Sequence, residues 1–260
     1  MKENKYNEET FFYKYGQMKR SKEGLSGAGE WEALQRLLPD FKNKQVLDLG
    51  CGYGWHSIYA AGNGAKFVIG VDLSEKMIEI AREKTKYENV KYQVGAMEDV
   101  DFPDETFDVV MSSLAFHYVE DFSSLVENVF RMLKSNGVFV FTVEHPIFTA
   151  EGSQDWVYND AGEIEHFPVD NYFKEGLRST QFLEESVTKY HRTMTTYINS
   201  LIEAGFTIDR VVEPTPPDHM MDIPGMKDEL RRPMMLIISA SKKKVTIKWI
   251  YRRENRSTRQ

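Results

Sequence analysis

Two carboxylates and three glycines stand at spacings that suit an adenosine-bearing ligand. Asp48, Gly50, Gly52 and Gly54 alternate in "VLDLGCGYGWHS", between an apolar run and a helical pattern. Glycines at such a bend let the main chain turn tightly and lie against a ligand. A dinucleotide fingerprint needs a small third residue to pack helix on strand; Trp55 holds that place here. A Walker loop needs a Lys-Ser/Thr ending, which is absent. Asp48, just ahead of the first glycine, would repel a pyrophosphate but suits a cationic ligand with an ammonium group. Asp72 closes "VIGVD", 22 residues after Gly50. A carboxylate at the end of a second strand can accept both ribose hydroxyls.

The elements that must position these residues follow from hydrophobic periodicity. "QVLDL", "AKFVIGVD", "NVKYQV", "FDVVMSS" and "GVFVFTV" read as buried parallel strands. Helical patterns separate them. Ser74 and Asp121 are expected N-caps for "SEKMIEIAREK" and "DFSSLVENVFRML", and Gly137 is expected to stop the second helix. Alternating strands and helices imply a parallel sheet with helices on both faces. After Pro146 the rhythm breaks into an aromatic, turn-rich insertion over about 146–189, with "YNDAGE" as a hairpin turn. It resumes in a helix ended by Gly205, with Met194, Tyr197, Ile198, Leu201 and Ile202 on one face. Two further strands, "FTIDRVVE" and "RPMMLIISAS", flank a Pro-rich loop.

The expected organisation is an N-terminal lid and helix over 1–40, a main domain over 41–241 and a basic tail over 242–260. The tail carries eight Lys/Arg and one Glu against a net charge of −7 for the chain, which leaves −14 on residues 1–241. The main body is therefore a poor candidate for broad polyanion binding. Trp249 and Tyr251 leave room for an extra packed strand. No apolar run approaches the ~20 residues needed to span a bilayer, and the start has no signal-peptide stretch. The single Cys51 excludes an internal disulfide or a cysteine metal cluster, which points to a reducing cytoplasm. The six histidines show no paired ligand spacing, so no metal is expected.

At the glycine loop and the two acids the chain resembles the class I S-adenosylmethionine-dependent methyltransferases, in the small-molecule branch called methyltransferase type 11. The resemblance implies a Rossmann-like seven-stranded α/β sheet, last strand antiparallel, with the cofactor across the carboxyl ends of the first strands. It places Gly50, Gly52 and Gly54 against the methionine part of the cofactor, Asp48 near its amino group, and Asp72 with Leu73 at the ribose. "VGAMEDVDFPDETFDVV" and "MSSLAFHYVED" match later motifs. They put Met97 and Glu98 beside the adenine and Ser113 and Leu114 at the methionine end. Many relatives carry an acid where Ala96 follows Gly95, so the adenine amino group is left to backbone amides or Glu98.

Methyl transfer is an in-line displacement, in which aligning the acceptor carries much of the rate. A hydroxyl or protonated amine also needs a base. His117, His145 and His191 fall where the acceptor pocket should be, with Glu144, Tyr118, Tyr190 and Arg192 as candidate substrate ligands. Trp156, Tyr158, Tyr172 and Phe173 are candidates for an apolar cover, with packing inside the insertion as the other reading. The expected reaction is methylation of a small molecule, leaving S-adenosylhomocysteine. RNA (tRNA) methylation through the basic tail, or a non-catalytic cofactor-binding module, are the alternatives; a nicotinamide oxidoreductase is disfavoured by Trp55. The Asn/Asp-Pro-Pro-aromatic motif of base-amino methyltransferases is replaced by "SSLA".

Overall fold

The computed structural model describes residues 4–244. Helices α1 (Glu9–Gln17), α2 (Lys19–Glu23) and α3 (Trp31–Gln35) precede strand β1 (Gln45–Leu49). Then follow α4 (Trp55–Gly62), β2 (Phe67–Asp72), α5 (Glu75–Lys84), β3 (Val90–Val94), β4 (Phe107–Ser113), α6 (Phe122–Met132) and β5 (Leu133–Glu144). The insertion holds α7 (Pro146–Thr149), β6 (Val157–Tyr158), β7 (Ile164–His166), β8 (Gly176–Phe182) and β9 (Glu185–His191). Helix α8 (Met194–Ala204) leads to β10 (Thr207–Val212) and β11 (Met235–Ser241).

Seven strands form one sheet in the order β10-β11-β5-β4-β1-β2-β3. Six run parallel, and β11 lies antiparallel between β10 and β5. The apolar runs are continuous because both faces are covered. Leu47, Val110, Phe139, Phe141 and Ile238 face α6 and α8. Their neighbours Val46 and Val109 pack with Ala60 and Ala61 of α4, and Val140 and Ile237 with Leu34 of α3. Strand β3 is an edge: Val90 is buried as expected, but Tyr92 is only partly covered and Val94 is exposed.

The expected caps are in place. Ser74 accepts from the Met77 amide and Asp121 from the Ser124 amide. Helix α6 ends earlier than expected, at Met132, because Leu133 already pairs with Phe107 in the sheet. Gly205, at φ +102°, closes α8, but Ile202 is exposed rather than on the packed face.

Residues 4–40 form short helices docked on the body, with Phe11 fully buried. The "YNDAGE" turn joins β6 to β7 as expected. A second hairpin, β8–β9, was not foreseen. Its two turn residues, Leu183 (φ +55°) and Glu184 (φ +63°), adopt left-handed backbone without glycine or asparagine. Lys14 of α1 holds that turn, bonding the Leu183 carbonyl (3.1 Å) and the Glu184 carboxylate (2.8 Å). Lys242 is anchored to the body through the Phe130 and Leu133 carbonyls. Trp249, Tyr251 and the rest of the basic tail beyond Lys244 lie outside the described residues.

Candidate active site

The chain leaves β1 through a bend in which Gly50, Gly52 and Gly54 have φ of +69°, +51° and +75°. A side chain on Gly50 would meet the Ala115 Cβ at 2.4 Å, and one on Gly54 the Tyr92 hydroxyl at 2.3 Å. A side chain on Gly52 would meet nothing within 4 Å. The protein's own packing therefore imposes the outer two glycines, and the middle one looks onto open space. The Gly52 amide donates to Asp72 Oδ2 (2.8 Å), and the Ser74 amide donates to Asp72 Oδ1 (2.9 Å). Burial raises the Asp72 carboxyl, and these two bonds oppose it. The Cys51 thiol is buried and pushed well up, so it is a packing residue rather than a nucleophile.

A cavity of about 430 Å³ opens along the carboxyl edge of the sheet, within the ~300–1,000 Å³ range of small-molecule sites. Sheet order sets the sequence of its wall: Glu144 ends β5, Ser113 ends β4, Gly50 and Gly52 follow β1, and Asp72 ends β2. Leu73, Met97, Glu98 and Leu114 also line it. Leu114 has φ +52°. Its amide is held by the Thr142 carbonyl (2.9 Å) and hydroxyl (3.0 Å). Held left-handed backbone of this kind recurs at functional sites.

Asp48 and Gly54 are not on this wall. Asp48 is buried behind the loop, where it accepts the Ser57 hydroxyl (2.6 Å) and so ties β1 to α4. Burial, aided by the Asp72 charge, pushes its carboxyl up to about 7, against the Ser57 bond.

Of the three candidate histidines, only His117 lines the cavity. It is buried, and its Nδ1 has no hydrogen-bond partner. Burial pushes it down to about 4, with the Glu144 charge pulling the other way, so its imidazole is neutral at pH 7. His145 is instead a cap: Nδ1 accepts the Ile147 amide (3.0 Å) and Nε2 meets Glu213 (2.8 Å). Both nitrogens of His191 are occupied, by the Thr149 hydroxyl (2.7 Å) and the Tyr172 carbonyl (2.8 Å). A carbonyl only accepts, so His191 Nε2 carries the proton and Nδ1 accepts from Thr149. His56, outside the three candidates, also lines the cavity.

The candidate ligands divide in the same way. Glu144 and Tyr118 line the cavity; Tyr190 and Arg192 do not. Arg192 is buried and spends its donors on the carbonyls of Val119 and Glu120, fastening β9 to the segment after β4. The Tyr190 hydroxyl reaches Glu120 at 3.4 Å. None of the four proposed cover aromatics lines the cavity; Phe173 is 91% exposed, and Trp156 packs on Phe167. Phe148 and Phe182 line it in their place.

Sequence reasoning missed Lys189 and Gln154. Lys189 is buried and meets Glu144 Oε1 at 2.6 Å, while Gln154 donates to Glu144 Oε2 at 2.7 Å. Burial would raise the Glu144 carboxyl; His117, Lys189 and these hydrogen bonds outweigh it and hold it below the usual range. A signal was present in "ESVTKYH": Val187, Lys189 and His191 share the inward face of β9, so the lysine points inside.

The N-terminal segment completes the wall through Tyr6, Tyr15, Met18 and Arg20. The Tyr6 and Tyr118 hydroxyls are 3.0 Å apart. The lining fits S-adenosylmethionine: a carboxylate for the ribose, an open glycine, apolar Met97 and Leu73, and unpartnered polar atoms at Trp55 Nε1 and His117 Nδ1. Among the described residues no His/Cys/Asp/Glu cluster suits a metal ion, and no helix is long and apolar enough to cross a membrane.

Comparison with known proteins agrees with this geometry. Residues 47–141 match the methyltransferase domain model of the type 11 family. A Listeria monocytogenes structure classed among S-adenosylmethionine dependent methyltransferases is 52% identical, covering 85% of this chain and 100% of that one, with a TM-score of 0.81. The S-adenosylmethionine dependent methyltransferase of Mesorhizobium loti is 41% identical over 84% of this chain and 100% of its own, with a TM-score of 0.78. A Haemophilus influenzae protein of uncharacterised function is 36% identical over 91% of this chain and 96% of its own. The chain belongs to the class I S-adenosylmethionine-dependent methyltransferases, and S-adenosylmethionine is its cofactor.

Proposed function

We propose that this methyltransferase acts on a small molecule bearing a hydroxyl or amine, and that His117 takes the acceptor's proton. The observation that carries the reading is the continuous cavity from Asp72 to a neutral His117, unbonded at Nδ1, beside the Glu144–Lys189 pair. S-adenosylmethionine supplies an electrophilic methyl group and leaves as S-adenosylhomocysteine. Asp72 receives the ribose hydroxyls, Met97 and Glu98 flank the adenine, and Gly52 lets the backbone approach the methionine portion. Ser113 and Leu114 mark the boundary between the cofactor and acceptor ends. Asp48 acts from behind the loop, through Ser57.

At the acceptor end the His117 imidazole accepts the proton as the new bond to carbon forms. The Glu144 carboxylate stabilises the resulting imidazolium, while Lys189 and Gln154 fix that carboxylate in place. A positioned base contributes about 10²- to 10⁴-fold. Residues within 4–40 and the insertion line the cavity, which favours an acceptor small enough to be enclosed. The decisive experiment is turnover of methyl-labelled S-adenosylmethionine against a metabolite panel and bulk tRNA, with products resolved by mass. A labelled low-mass product supports the reading; label confined to tRNA overturns it.

A further inference from the structure

Charge and hydrogen-bond capacity at the acceptor end of the cavity narrow what can sit there. Phe148, Phe182, Met234 and Met235 line this end beside Glu144, Lys189 and His117. Lys189 is already spent. Its Nζ meets Glu144 Oε1 at 2.6 Å and Gln154 Oε1 at 3.0 Å, and stands 5.4 Å from the centre of the Phe182 ring. The other described cations of the wall are paired as well: Lys5 with Glu8 (2.9 Å) and Glu185 (3.7 Å), and Arg20 with Glu30. Asp155 adds a second, exposed carboxylate to the lining. An acceptor with a carboxylate or phosphate would face Glu144 and Asp155 while every described cation is held by a carboxylate, and an uncompensated charge in such a place is costly.

What this end offers instead is hydrogen-bond acceptors. Glu144 gives one oxygen to Lys189 and the other to Gln154, but a carboxylate has about four lone-pair sites, so capacity remains. A neutral imidazole keeps one acceptor nitrogen. His117 is buried, unbonded at Nδ1, and close enough to Glu144 for the charge of each to act on the other. A hydroxyl brings one donor and leaves one of these two acceptors unmet, which is costly in a buried site. A primary amine brings two N–H donors and keeps its lone pair for the methyl carbon. An alkylammonium has no lone pair and sets a second positive charge near Lys189. The rest of the wall is apolar: Met235 pairs with Glu144 in the sheet, so Met234 and Met235 flank the carboxylate. Thioethers and ring faces are favourable neighbours for a flat aromatic body.

We infer that the acceptor is a primary arylamine without an acidic group, its ring among Phe148, Phe182, Met234 and Met235 and its two N–H groups on Glu144 and His117. The assignment rests on the small-molecule reading above and narrows it. An arylamine is uncharged at neutral pH, because the ring draws in the nitrogen lone pair, so no proton has to leave before attack. In the transfer that lone pair forms the new N–C bond, and the C–S pair stays on sulfur. The arylammonium so formed gives one proton to His117, which passes it to solvent. An arylammonium is a far stronger acid than an alkylammonium, so an imidazole whose basicity is lowered by burial can accept its proton.

The test uses the full chain loaded with S-adenosylhomocysteine and calorimetric titration with four probes that share an ethyl-substituted ring: 4-ethylaniline, 4-ethylphenol, 4-ethylbenzoate and 4-ethylbenzylamine. The aniline is expected to bind at least about tenfold more tightly than each of the other three. With methyl-labelled S-adenosylmethionine it should give a product heavier by one methyl group, carried on nitrogen. Glu144→Gln puts a donor where an acceptor stood, and should weaken the aniline at least about tenfold while leaving S-adenosylhomocysteine within about twofold. Benzoate or benzylamine binding as tight as that of the aniline overturns the assignment on wild-type protein alone, whether or not the variant folds. So does preferential turnover of the phenol, absence of binding by all four probes, or unchanged aniline affinity in the variant. A low-mass methyl ether or ester from the metabolite panel would overturn the arylamine and leave the small-molecule reading standing; label confined to tRNA would sink both.

Discussion

His117 and Asp72 carry most of the chemical argument, and each is separable by measurement. His117→Asn keeps a polar side chain of similar size but removes the base. It should lower kcat about 10²- to 10³-fold while leaving S-adenosylhomocysteine affinity within about twofold. Because burial holds His117 down to about 4, the base form persists well below neutrality. Wild-type kcat/KM measured with the identified acceptor should then be flat from about pH 8 to pH 5, rather than declining below the usual histidine value near 6.5. Stability has a matching sign. The unfolded chain binds a proton at position 117 below pH 6.5, and the folded one resists it until about 4. Folding stability is therefore lost as pH falls through that window, and His117→Asn should lose less in thermal melts over the same range. Asp72→Ala removes the carboxylate proposed to receive the two ribose hydroxyls, each bond worth about 1.5–3 kcal/mol. Its S-adenosylhomocysteine affinity should fall at least about tenfold by titration, with methylthioadenosine falling in parallel because both carry the ribose.

Elements were legible in the sequence wherever local chemistry agreed with tertiary need. Ser74, Asp121 and Gly205 announced their helix ends because a cap acts within one turn, whatever the surroundings. The β8–β9 hairpin was illegible because its turn is built from Leu183 and Glu184, against their backbone preference, and because "RSTQ" offers no apolar alternation. What compensates is long-range: Lys14 of α1 grips the turn, and Arg192 fastens the second strand. Such positions are open to improvement. Leu183→Asn with Glu184→Gly supplies residues that accept left-handed backbone, which costs other residues about 1–2 kcal/mol each. The loss of an exposed Lys14–Glu184 pair subtracts at most about 1 kcal/mol. The double variant should melt higher, by about 2–4 °C for each kcal/mol of net gain, with kcat unchanged; a lower melting temperature would mean that Lys14 contributes more than backbone relief returns.

At the scale of the molecule, the two halves of the site differ in how they are encoded. The proposed cofactor half lies within one β-turn-α unit and the next strand, so Gly50, Gly52 and Asp72, which line the cavity, could be read from spacing. The proposed acceptor half joins Glu144 to Gln154 and Lys189, partners 10 and 45 residues away, and no periodicity reports such a meeting. The same split decides between small-molecule and RNA acceptors. Residues 1–241 carry a net −14, and net positive charge is found in the last 19 residues, at +7. A polyanion would have to be gripped almost wholly by that tail, with affinity falling steeply as salt rises. A small acceptor enclosed between the N-terminal helices and the insertion has no use for it. Truncation after Lys244 should therefore leave S-adenosylhomocysteine affinity and small-molecule kcat/KM within about twofold. It should also abolish any salt-dependent tRNA binding that the full chain displays. If small-molecule turnover collapses on truncation while cofactor affinity holds, the tail belongs to the acceptor site, and the enclosed-acceptor reading falls.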